Sequence, residues 1–449
     1  MIGRVFSGAG WRRDVLRTNL WLVPVVEVAA AGVLFAATYG LDRAAFAGDF
    51  GLPGWLLSGS PDAARQILTA IAAAIITVVG VVFSIVIVAL TLTSTQFGPR
   101  MLRNFIRDRG TQVTLGTFVA TFVYAVLTLG AIGQGGATFV PHISMTVTLA
   151  LLVADLALLI YFLHHIAVQI QLPQVIAGIA ADLAAAIELQ ARSGAADSGS
   201  TAARLVAGLH GPGGEVAAPR SGYLQYIQHR LLVRLAAELG VVIHLRYRPG
   251  HFLVQGHPYA TVWPADAASQ VERELARAHV TGPYRTLTQD VSFGIDQLVE
   301  IALRALSPAV NDTFTALTCI DWIGDNLCKV TGRWHPTRVY RDAAGLVRLI
   351  TTETSYERLV QRSFEKIRQS GRGMPAVMIR QLDTLRKIME RAAAQEDREF
   401  LLGQAEMIQR LSLASVAEES DRADIQRAYE AVLRAEARAA VSTALPTAT

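Results

Sequence analysis

The chain has 449 residues, 52% of them hydrophobic and 17% charged, with a formal net charge of +4. That balance excludes an ordinary soluble protein and also a chain lying wholly in lipid, so a membrane portion and a soluble portion are expected together. The positive excess comes partly from arginines beside apolar segments, and no basic stripe with interleaved aromatics accompanies it, so no nucleic-acid partner is expected.

The leading stretch MIGRVFSGAGWRRDVLRTNLW carries scattered charge ahead of a full-length apolar segment and has no small-residue cleavage site. It reads as a retained first helix and not a cleaved signal peptide. The first span covers residues 20–39, with Trp21 as an interfacial anchor and Pro24 near its start. Phe46 and Phe50 in the following connection are expected at the membrane interface. Ser60-Pro61-Asp62 then supplies an N-cap, a first-turn proline and a first-turn acid for the second span.

The second span, residues 67–95, lies in a stretch with no charge between Arg65 and Arg100, longer than the roughly 30 Å of a hydrocarbon core. Its small and hydroxylated residues recur at intervals of three and four: Ala73, Thr77, Gly80, Ser84, Val88, Thr91 and Thr95. They form one helical stripe. Such a stripe serves close packing against a neighbouring helix, which can belong to another subunit, or it lines a watery path. After Gly98-Pro99, a short amphipathic segment places Arg100, Arg103 and Arg107 on one side. Those cations either fix orientation or form a ring at a cytoplasmic mouth that selects anions or binds acidic lipid.

The third span covers residues 113–132 and the fourth residues 143–166. Two acids sit inside spans, Glu27 in the first and Asp155 in the fourth, both about 10–12 Å from the same end. Facing lipid each costs on the order of 2.5–3.5 kcal/mol, so both are expected to face the bundle interior, as a structural pair, a contact to a snorkelling arginine, or a cation or proton site. Arg4, Arg12, Arg13 and Arg17 precede the first span and Arg100, Arg103, Arg107 and Arg109 follow the second, against only Arg43 and Arg65 in the alternate loops. This asymmetry puts both termini of a multi-pass membrane protein in the cytoplasm.

The expected organisation is a four-helix transmembrane domain over 1–172, a helix and flexible linker over 173–220, a small mixed α/β segment over 221–265, a helical cytoplasmic region over 266–440 and a disordered tail over 441–449. In the mixed segment, strands are expected at 222–227, 241–247, 252–254 and 259–263, with a helix at 230–239. The turn at Pro249-Gly250 resembles that of lipoyl and biotinyl carrier domains, but the acceptor lysine is missing, so only a scaffold is implied. His229, His244, His251 and His257 lie close in sequence without a helical i, i+4 pair or a cysteine set, and no metal site is expected. Cys319 and Cys328 fit neither a zinc pair nor a redox dithiol and suit a reduced compartment.

Helices are expected at 291–306, from Asn311 or Asp312 to about residue 329, and at 355–369, 376–394, 396–413 and 418–440. The break between the first two gathers Ser307, Asn311, Asp312 and Thr315. Capping accounts for this composition, and exposed amides at such a helix start also suit an anion or a partner's carboxylate.

The runs FSIVIVALTLTSTQFGPRMLRNFIRDR and FGIDQLVEIALRALSPAVNDTFTALTCID resemble the predicted bacterial membrane protein family called domain of unknown function 2254. The resemblance implies a multi-span protein of the bacterial cytoplasmic (inner) membrane with a cytoplasmic domain, and supplies no activity. Phosphate-loop, dinucleotide, zinc-protease and nucleophile-elbow patterns are all missing from the sequence, so neither an enzyme nor a cofactor is expected. The fold class is a mainly α membrane protein, four transmembrane helices followed by a cytoplasmic α+β domain with a helical C-terminal region. Its expected role is a homo-oligomeric channel or transport conduit for a small ion or solute in the lipid bilayer. The alternative is a membrane-anchored sensor or scaffold binding a cytoplasmic ligand or partner.

Overall fold

The computed structural model describes residues 21–51, 53, 59–97, 108–133, 139–191 and 199–444. They fall into two units, one within Arg12–Gln171 and one from Leu172 onward. The expectations for Arg100, Arg103 and Arg107, for the leader before Trp21 and for residues 445–449 lie outside the described residues.

The first unit contains α1 (Leu22–Ala47), α2 (Pro61–Phe97), α3 (Arg109–Ala131) and α4 (His142–Gln169). Local start and stop signals mark several of these helix ends. α1 runs on to Gly48, whose φ of 92° is the left-handed conformation of a helix end. α2 starts at Pro61, with Ser60 Oγ accepting from the Ala63 amide at 3.3 Å. α3 packs against each of the other three. Its approach to α1 is set by Gly116, where an added Cβ would lie 2.0 Å from Glu27 Oε2 and 2.9 Å from Pro24 Cα. α2 buries Ile75, Val79, Val82 and Val86 against Leu115 and Phe118 of α3 and Phe162 and Ile166 of α4.

Among the described residues five helices, one more than the four spans expected, are long and apolar enough to cross a membrane. The fifth is α5 (Leu172–Ala191), which opens the second unit. After it come α6 (Gly199–Ala207), β1 (Gly214–Ala217), β2 (Gly222–Ile227), α7 (His229–Leu239), β3 (Val242–Leu245), β4 (Phe252–Leu253), β5 (Pro258–Trp263), α8 (Ala268–Ala278) and β6 (His279–Gly282). The remainder comprises α9 (Val291–Ala305), α10 (Thr313–Val330), β7 (Val339–Arg341), β8 (Val347–Thr351), α11 (Tyr356–Ser370), α12 (Pro375–Met389), α13 (Gln395–Ser415) and α14 (Glu419–Ala444). α5 packs on α9 and α10 and buries Ile176, Ile179, Leu183 and Ile187. Gly294 of α9 admits Leu183, whose Cδ1 would lie 2.9 Å from a Cβ at that position.

Several expected boundaries are corrected here. The linker contributes α6 and β1, and β1 pairs with β5, so the mixed fold does not begin at residue 221. Nor does it end at 265: β6 pairs with β2, and β8, from the region expected to be all helical, pairs in parallel with β3. The five-stranded sheet has the order β1-β5-β3-β8-β7, and a three-stranded sheet has the order β4-β2-β6. β3 and β4 therefore belong to different sheets, and the Pro249-Gly250 turn joins two layers in place of the single hairpin that a carrier-domain likeness implies. At the other end, α14 continues to Ala444, beyond the point where a disordered tail was expected.

Substitution at Gly116 tests the close approach of α1 to α3. Gly116→Ala is expected to destabilise the protein by about 1–3 kcal/mol, because the Pro24 backbone must move. Gly130→Ala is the control, since a Cβ there meets nothing within 4 Å. Thermal unfolding of the full chain in detergent should lower the midpoint for the first variant only; equal midpoints would show that α1 shifts freely.

Candidate sites in the helical bundle and the α/β unit

The stripe on α2 faces away from its own bundle. Ala73, Thr77, Gly80, Ser84, Val88 and Thr91 are all exposed, while the opposite face carries the buried residues that meet α3 and α4. No atom comes within 4 Å of a Cβ built at Gly80. Thr77 and Thr91 donate their hydroxyl hydrogens to the carbonyls of Ala73 and Ile87, each at 2.8 Å. The side chain of Thr95 lies outside the described residues.

Glu27 and Asp155 both turn into the bundle, against α3. Glu27 lies over Gly116 and against Thr117. Asp155 is 3% exposed and accepts from Thr121 Oγ1 at 3.3 Å. Their contacts stand one helical turn apart on α3 instead of at one common depth. Among the described residues, one oxygen of each carboxyl, Glu27 Oε2 and Asp155 Oδ2, is buried without a hydrogen-bond partner, as is the hydroxyl of Thr114.

Two further acids hold the ends of this bundle, and the sequence reading passed over both. Asp42 of α1 is buried and caps α4 from outside that helix: it accepts from the amides of Ile143 (2.7 Å) and Ser144 (3.0 Å) and from Ser144 Oγ (2.7 Å). Ser144 also bonds Thr38, which bonds the hydroxyl of Tyr124 at 2.8 Å. At the opposite end Asp108 caps α3 through the Thr111 amide and hydroxyl and also holds His165 Nε2 (2.8 Å) and Gln169 Nε2 (2.9 Å) of α4. Each acid satisfies free amides at a helix start while tying two helices together. The readable signal was an acid next to a helix end, at the close of the first apolar run and just before the third.

The helix-break residues of the second unit form a cap. Ser307 Oγ donates to the Arg304 carbonyl at 2.7 Å, Asn311 adopts φ 50°, and Asp312 accepts from the Thr315 amide at 3.1 Å and its hydroxyl at 2.6 Å. Those bonds hold the Asp312 carboxyl below its usual range. Of the two cap candidates, Asp312 serves and Asn311 makes the turn. Next to this break Phe314 is 83% exposed and Val310 51% exposed.

A second set of buried charges surrounds the junction of the two sheets. Asp290, fully buried at its side chain, binds Arg285 through two nitrogens at 2.6 and 2.8 Å and faces Arg248 at 3.6 Å. Asp296 bridges Arg285 and Arg362. Gly250, with φ 93°, gives the space for Asp290, whose Oδ2 would lie 2.0 Å from a Cβ there. Burial pushes Glu353 up from 4.5 to about 7, against the pull of Arg248 and Arg338. The four histidines do not converge as a group. Burial takes His229, stacked on Tyr340 at 4.8 Å, down to about 4, and takes His251 to about 4 with help from three nearby arginines. Both are neutral at pH 7. Burial also raises the Cys319 thiol to about 12, which leaves it unreactive.

A group of apolar helices with acids turned inward, followed by a mixed α/β unit with its own core, defines a multi-span membrane protein. The family described as predicted membrane protein, DUF2254, matches residues 17–387. The chain belongs to that family. It is similar to uncharacterized proteins of Mycobacterium bovis and Mycobacterium tuberculosis, each 32% identical, with 84% of this chain and 74% of the relative covered. No solved structure matches it.

The buried titratable groups make stability depend on pH in a way one substitution can isolate. Glu353 binds more protons folded than unfolded, so its contribution is full below about pH 4.5 and is lost as pH rises to about 7; the histidines act oppositely, losing stability as pH falls from 6.5 towards 4. Relative to Glu353→Gln, the wild type is expected to lose about 3 kcal/mol between pH 4.5 and pH 7. Unfolding midpoints of the two full-length proteins across that range check it: the gap should widen with pH, and a constant gap would mean that Glu353 ionises normally.

Proposed function

We propose that the protein is a homo-oligomeric conduit for a small ion or solute, with no enzymatic step, and that α1–α4 are its four spans. The observation that carries this reading is the outward-facing stripe of α2. A helix that turns Ala73, Thr77, Gly80, Ser84 and Thr91 away from its own bundle is suited to line a path shared between copies. Leaving α5 out of the membrane is supported by its burial against α9 and α10. The arginine distribution favours cytoplasmic termini in a bacterial inner membrane, with Arg100, Arg103 and Arg107 at the inner mouth.

A second reading, a membrane-anchored sensor or scaffold, is favoured by Phe314 and Val310, exposed beside the capped break of the α/β unit. Flux separates the two. In proteoliposomes of the full chain, Thr91→Trp is expected to cut potassium or chloride flux by about ten-fold or more, because its indole fills the shared path. Wild-type protein that remains folded and oligomeric yet passes neither ion under a gradient would overturn the conduit and leave the scaffold.

A further inference from the structure

One face of α3 carries a hydroxyl at every turn: Thr111, Thr114, Thr117, Thr121, Tyr124 and Thr128. Intervals of three and four put them on one side of the helix, and all but the half-buried Thr117 are buried. From Asp108 to Thr128 the helix rises about 30 Å, the thickness of a hydrocarbon core. Back-bonding to the helix accounts for Thr117 and Thr128, whose hydroxyls donate to the carbonyls of Val113 and Tyr124. It does not account for the others. Thr111 bonds Asp108, Thr121 bonds Asp155, and Tyr124 leads through Thr38 and Ser144 to Asp42. The partnerless buried atoms of the bundle also fall along this face: Thr114 Oγ1 on α3 itself, Glu27 Oε2 beside Thr117 and Asp155 Oδ2 beside Thr121. A buried oxygen with an open bonding position calls for a proton, a water or a cation.

We propose that each protomer conducts protons through its own bundle along this face of α3. Glu27 and Asp155 hold the protons midway, and the hydrogen-bonded clusters of Asp108 with His165 and of Asp42 with Ser144 mark the two ends of the path. A proton arriving on a carboxylate forms an O–H and leaves from that group to the next acceptor. Each hydroxyl takes one proton and gives up its own, so one enters for each that leaves and every group is restored. Single waters held by the three partnerless oxygens bridge the one-turn gaps. The α2 stripe lies on the face of α2 turned away from Leu115 and Phe118 of α3, so this path stands independently of the conduit between subunits.

The test uses full-length protein in liposomes that enclose a pH indicator, with a potassium gradient and valinomycin setting the potential. Asp155→Asn and Thr121→Val are each expected to lower proton flux by about ten-fold or more. Thr121→Ser, which keeps the hydroxyl, should retain it and so separate the relay from a packing defect. Thr91→Trp should leave proton flux intact while removing potassium or chloride flux, so the two paths fail separately. Wild-type acidification no faster than empty liposomes, or Asp155→Asn and Thr121→Val variants as fast as wild type, would overturn the relay.

Discussion

The close approach of α1 to α3 at Gly116 is the contact on which the helical bundle depends. Lipid offers no hydrophobic drive for helices to associate, so cohesion has to come from near backbone contact and from polar groups that find partners inside. Gly116 provides the first by letting Pro24 and Glu27 occupy the space of a side chain. Once α1 lies that near, Phe35 reaches Tyr124 edge-on with centroids 6.1 Å apart, and Thr38 reaches its hydroxyl. Asp42, further along α1, then arrives at the start of α4, where two amides await an acceptor. A side chain at position 116 would act on all of these contacts together.

The α/β unit meets a different constraint with a similar device. Its two sheets share no strand pair, so the chain between β3 and β4 must turn sharply where the layers meet. Gly250 makes the turn in a left-handed conformation, and its missing side chain leaves room for the Asp290 carboxylate. Burying that charge is tolerable only because Arg285 grips it with two nitrogens and Arg248 stands behind. The network fixes the start of α9 to the sheet junction, and Asp296 extends it to α11 through Arg362. Charge and backbone conformation are thus coupled there: neither Gly250 nor Asp290 can change alone.

The helices were the most legible part of the sequence, because apolar runs and their caps are local signals; Ser60-Pro61-Asp62 and Asp312 with Thr315 act as read. Sheet membership was not, since β8 joins β3 from far along the chain and only its register, Ile243 opposite Leu349, shows why both are buried. The β7–β8 hairpin did leave a trace: Asp342 accepts from the amides of Ala344 and Leu346 and Gly345 takes φ 78°, a turn signal between two short alternating runs. In the bundle, interval counting found the stripe of α2, and the same count on α3 finds Thr111 to Thr128. What no count could tell is which stripe is covered. That depends on where Gly116 brings α1 and on which face of α2 meets Leu115 and Phe118.

Coverage is what separates the two polar stripes physically. The α2 stripe is exposed, and Thr77 and Thr91 on it donate their hydrogens to their own helix. The α3 stripe is enclosed, and an enclosed hydroxyl without a partner is costly. Packing alone would favour Ala or Val at Thr114 and Leu at Asp155, which would remove orphaned oxygens without opening space. Their presence therefore needs a cause other than cohesion, whereas Asp42 and Asp108, each saturated with donors, are accounted for by capping. The distinction between satisfied acids at the ends and unsatisfied acids in the middle locates the functional demand in the interior of the bundle.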